Sequence, residues 1–126
     1  FYPTNHLYYG FVDLLGWRNM RELEAGVMMA IPSVLKKFEV KYHFMQLNNP
    51  DGRWSNVGGA NVGAGWDPDN TDRTLGHEID VYAVVKPWKP LFIQPGYGVF
   101  IPAGAGRPLG GADPQHFLWL WVTLTL

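Results

Sequence analysis

Charged and polar side chains recur at every second residue in three stretches of the chain: Glu22 and Glu24; Glu39, Lys41 and His43; and Glu78, Asp80, Tyr82 and Lys86. Spaced by two, the members of each set leave one face of a β-strand. Gln94, Thr123 and Thr125 carry the same parity into later stretches. Groups arrayed in this way can pair across neighbouring strands, Lys41 with Glu24 or Asp80, to make a ladder of ions along a wall. Other groupings offer less. Asp67, Asp69 and Asp72 lie close together in a loop and form a calcium candidate, but the glycine of a standard calcium loop is missing and a solvated turn is the commoner meaning. His6, His43, His77 and His116 lack H-x-x-x-H spacing and no cysteine partners them, so no zinc or haem site is expected. Residues 58–65, GGANVGAG, look like a phosphate loop but lack the following Lys-Ser/Thr and a strand-to-helix setting. With no Ser-His-Asp or paired-carboxylate arrangement, neither a catalytic residue nor a cofactor is expected, and the chain does not read as an enzyme.

Composition narrows the setting for that wall. At 126 residues the chain is long enough for one domain with its own core. A net charge of -1 and the absence of any Lys/Arg-rich run argue against nucleic acid as a partner. Zero cysteines exclude disulfides and suit an exported protein as well as a cytosolic one. The aromatic share is 15%, beside fifteen Gly and ten Pro, which favours β-structure with many turns. The longest apolar runs, AGVMMAIP and FLWLWV, are far shorter than a membrane helix requires.

The elements follow from period-two alternation. Strands are expected at 19–31, 36–47, 75–86, 91–101 and 116–126, each with one apolar face: Leu23, Val27 and Met29 in the first, Phe38, Val40, Tyr42 and Phe44 in the second, Ile79, Val81, Ala83 and Val85 in the third. Residues 1–18 read as a structured loop holding at most one short extended piece. Short connections at 32–35 and 87–90 alternate with long Gly-, Asn- and Pro-rich ones at 48–74 and 102–115, which read as exposed loops. In an antiparallel meander every second connection lies on the same rim, so both short turns fall at one end and both long loops at the other. Outer-membrane barrels segregate loop length in this manner, with short periplasmic turns and long extracellular loops. An eleven-residue strand tilted by about 40° spans roughly 27 Å, close to the height of a barrel's apolar band. Trp88 at a short turn, and Phe44, Tyr97 and Phe100 near the long-loop rim, are expected to form aromatic girdles, and Arg21 to reach water at that rim.

In several separate segments the chain resembles the alginate-export (AlgE-like) outer-membrane β-barrels. The resemblance is carried by residues 4–17 (TNHLYYGFVDLLGW) with Arg18 and Asn19, by 41–47 (KYHFMQL), 75–81 (LGHEIDV) and 96–102 (GYGVFIP), and by an aromatic-rich last strand, in that order. It implies an antiparallel transmembrane β-barrel of roughly eighteen strands. This chain would supply about the last five, as a fragment of a longer polypeptide or its C-terminal part. The implied partners are outer-membrane lipid, the remaining strands of the same barrel and other envelope proteins; the implied place is the bacterial outer membrane.

On that reading Glu22, Glu24, Glu39, Lys41, His43, Glu78, Asp80, Tyr82, Lys86 and Gln94 line the lumen of a porin-like channel for a hydrophilic solute. An anionic polysaccharide is the family's solute, yet five inward acids face few bases, the reverse of what a polyanion track wants. A non-conducting barrel that anchors or encloses a partner protein has the same strand pattern, and a soluble β-domain shares the alternation.

Overall fold

Alternating apolar and polar residues become five strands in the computed structural model, which describes residues 12, 18–56, 58–63 and 65–125. The strands are β1 (Met20–Ala30), β2 (Leu35–Leu47), β3 (Thr74–Val85), β4 (Leu91–Pro102) and β5 (Gln115–Leu124), with one helical turn, α1 (Gly106–Gly110), between the last two. They form a single antiparallel sheet in the order β1-β2-β3-β4-β5. Among the described residues β1 and β5 each have one hydrogen-bonded neighbour, so the sheet is an open meander. The expected strands lie within two residues of the observed ones. Residues 1–18 fall outside the described residues apart from Val12 and Arg18, and so does Leu126.

Register decides which side chains share a face. Glu24, His43, Glu78 and Phe100 stand in one row across β1 to β4, and Gly26, Lys41, Asp80, Gly98 and Phe117 in the next. The opposite face carries rows such as Val27, Val40, Val81, Tyr97 and Leu118. Two irregularities interrupt the β2–β3 ladder, at Leu35/Lys37 and at Met45/Gln46. At the second, Leu75 is the extra residue, and the bulge turns this leucine from the apolar face into the buried cluster.

That cluster lies on the charged face. Met20, Met45, Leu47 and Phe100 from the strands, with Leu75, pack under Trp54, Ala105 and Leu109 from the two long connections. Most described loop residues are exposed or half-buried, as expected, but the loops also fold back over the long-loop end of the polar face and bury Trp54 completely. Glycines permit the close approach. Gly63, at φ 57°, sits where a Cβ would come within 2.2 Å of the Leu109 carbonyl oxygen, and a Cβ on Gly110 would strike the Trp54 ring. Asn19 ties the start of β1 to this assembly: at φ 59° its side chain accepts from the Asn49 amide and donates to the Asn49 carbonyl, both at 2.7 Å. Phe100, expected in an outer girdle, is instead wholly buried beneath the loops, because its parity is that of Glu78's row.

Candidate functional site

The polar face is built by the strand pairing itself. Glu24 and His43 are directly opposite across β1 and β2, and His43 is opposite Glu78 across β2 and β3, so one row places an imidazole between two carboxylates. The contacts run diagonally from there. His43 Nδ1 meets Glu22 Oε1 and lies 3.9 Å from Glu24 Oε2, while Nε2 lies 3.3 Å from Asp80 Oδ2. His43, Glu78 and Asp80 are each at most 1% exposed. Lys41 pairs with Glu24 at 2.8 Å, one of the two partners its position allowed; the other, Asp80, is taken by His43. Glu78 accepts the backbone amide of Val12 at 2.8 Å, which places Val12 at this face.

Nearer the short turns a second knot forms. Lys37 Nζ lies 2.5 Å from Glu39 Oε2 and donates to the Tyr82 hydroxyl at 2.8 Å, and that hydroxyl donates to Glu39. Lys37 was missed in the lumen set, although it shares the parity of Glu39 and Lys41. Beyond it, Gln94 stands opposite Trp121, and Lys86 holds its ammonium 5.8 Å from the centre of the Phe92 ring. All ten expected wall residues thus carry the parity of one face; six of them interlock around His43, and Glu39 with Tyr82 forms a separate group.

Aromatic rings occupy the β5 edge of the same face. Trp119 lies across Gly96, where a Cβ would come within 1.9 Å of its indole, and Phe117 stacks beside it at 5.7 Å. The signal for this was present in the sequence, since two of the three aromatics at alternate positions of β5, Phe117 and Trp119, oppose Gly98 and Gly96.

Glu22, Glu24 and His43 gather potential metal-ligand atoms within 4.8 Å, the one such group among the described residues. Those atoms already engage one another and Lys41. Asp67, Asp69 and Asp72 do not converge in this way. Asp67 accepts the amide of Asp69, Asp72 accepts that of Thr74, and both close local turns of the loop.

Among the described residues the opposite face has no such network except at its long-loop rim. Arg21 donates to Gln46 at 3.1 Å, Tyr42 pairs with His77 and Tyr97 with His116, both at 2.6 Å, and Phe44 stacks on His77. Beside and below these groups the surface is hydrocarbon: Leu23 is 66% exposed, Val27 71%, Leu118 81% and Leu120 67%.

Fold and site define an open, five-stranded antiparallel meander with one ion-paired, loop-covered face and one bare apolar face. No protein-family model matches the chain, and no curated protein matches it.

Proposed function

We propose that the five strands are part of an outer-membrane β-barrel whose polar face lines a channel for a hydrophilic solute. The observation that carries this reading is that the sheet is inside out by the standards of a soluble domain. Its loops and buried cluster cover the long-loop end of the charged face and leave the leucines and valines of the other face uncovered. In water that apolar face would be a liability of a kind soluble monomers avoid; against lipid it is the required surface. Charged groups at membrane depth are tolerable on the lumen side, where here they interlock.

The outer edges of β1 and β5, unpaired among the described residues, cannot face hydrocarbon, so further strands of the same barrel complete the pairing. The Tyr-His pairs and Phe44 then sit at the outer interface, and the turn bearing Trp88 at the periplasmic one. Selection follows from lumen width and wall charge, with the folded loops narrowing the outer mouth.

A second reading has its own observation. The loops and Val12 already fill the long-loop end of the polar face, as the interior of a plugged, non-conducting barrel would be filled. Conductance of the full-length protein in planar bilayers separates the two: stepwise ion currents support the channel, and their absence from correctly inserted protein rejects it in favour of the plugged barrel. A protein that stays monodisperse without detergent rejects both in favour of a soluble domain.

A further inference from the structure

The carboxylates of the polar face are spoken for. Glu39 has Lys37, Glu24 has Lys41, Glu22 and Asp80 have His43, and Glu78 has the Val12 amide. Lys86 differs: among the described residues its ammonium meets no carboxylate and stands over the Phe92 ring. Thr123 is directly opposite Phe92, and in the adjoining row Gln94 is opposite Trp121. Phe117 and Trp119 have a packing reason for their place, in their mutual stacking and in the bed that Gly96 provides. Trp121 has none of comparable kind among the described residues and is 60% exposed. A wetted face that displays an exposed indole, a second ring, an ammonium with no carboxylate among the described residues, an amide and a hydroxyl within two adjoining rows has the makings of a ligand subsite.

We propose that Phe92, Trp121 and Lys86 form a subsite for a small ring-bearing carboxylate. Its ring lies against the aromatic surface, its carboxylate pairs with Lys86, and Gln94 and Thr123 serve its remaining polar groups. This rests on the channel reading, in which the patch lies just inside the periplasmic mouth. The chemistry has two sources, an aromatic acid and a sugar acid.

Isothermal titration of the full-length protein in detergent tests both, using 4-hydroxybenzoate against 4-hydroxybenzamide and glucuronate against methyl glucoside. At least one acid should bind tenfold or more tightly than its uncharged counterpart, and which one names the source. Lys86→Gln should erase that preference, Trp121→Ala should weaken the acid at least tenfold, and Lys89→Gln, in the neighbouring turn, should change neither. The proposal is overturned by the absence of a preference for either acid, by a preference that survives Lys86→Gln, by wild-type affinity in Trp121→Ala, or by an equal loss in Lys89→Gln. Binding without conductance rejects the channel alone, and conductance without binding rejects the subsite alone.

Discussion

Replacing Trp54 by alanine should loosen the loops while leaving the sheet intact. The indole is fully buried, lies against Gly110, and is held in place by the Trp54 amide, which donates to the Gly65 carbonyl at 2.9 Å. Truncating a buried aromatic to alanine costs about 3–5 kcal/mol, the range reflecting how far the site collapses. Trp54 belongs to a connection and the strands keep their own ladders, so the cost falls on opening of the loops. At about 1.4 kcal/mol per factor of ten, their open population rises by roughly two to three and a half powers of ten.

Amide hydrogen exchange reads this directly. The bonds from Leu47 to Arg73, from Asn56 to Ala60 and from Gly111 to Arg107 report on the loops, and the central β2–β3 ladder reports on the sheet. Trp54→Phe is the control: it keeps a large ring and deletes an indole N–H that has no partner among the described residues, so its effect should be far smaller. Loop protection unchanged in Trp54→Ala, or strand protection lost to the same extent, would show that Trp54 does not hold the loops down.

Three further substitutions probe other parts of the account. Leu120→Arg places a charge on the bare face and should cost about 2–4 kcal/mol if its row lies near the bilayer midplane, read from denaturant titration of folding into vesicles; a change within error would place that face in water. His43→Ala removes the imidazole between Glu22 and Asp80 and leaves buried acceptors short of a donor, a loss of about 1–3 kcal/mol in the same titration, whereas Lys41→Met, at a pair that is partly exposed on the Glu24 side, should cost well under that. Gly63→Ala drives a methyl into the Leu109 carbonyl at a positive φ, so faster exchange confined to the two loops is expected, and unchanged exchange would count against the close approach.

The strands were legible because a period of two leaves few alternatives once one face is apolar, and because prolines and glycines mark the turns. Lys41 could be offered Glu24 or Asp80 for the same reason, but the choice could not be read from register: Lys41 stands opposite Gly26 and Asp80, and its pair with Glu24 is made on the diagonal. What escaped was long-range. That Trp54 and Leu109 meet over Phe100 depends on how two glycine-rich loops fold back, and their composition reads as solvent-exposed; a solitary Trp in each half of 48–74 was the available hint. The turn of helix at Gly106–Gly110 was hidden by Pro108 and its flanking glycines, all poor helix formers away from the first turn. His43 was assigned to the wall, but its central place emerged only when register brought β1 and β3 to either side of it.

Because the chain contains no cysteine, single cysteines carrying nitroxide spin labels can be placed at will. Val27 with Met28 on β1, and Val122 with Thr123 on β5, are neighbours that the register sends to opposite faces. In protein reconstituted into bilayers, labels at 27 and 122 should relax with lipid-soluble oxygen and those at 28 and 123 with a water-soluble nickel chelate. A chelate that reaches 27 and 122 as readily as their neighbours would contradict the claim that the bare face of this sheet meets lipid.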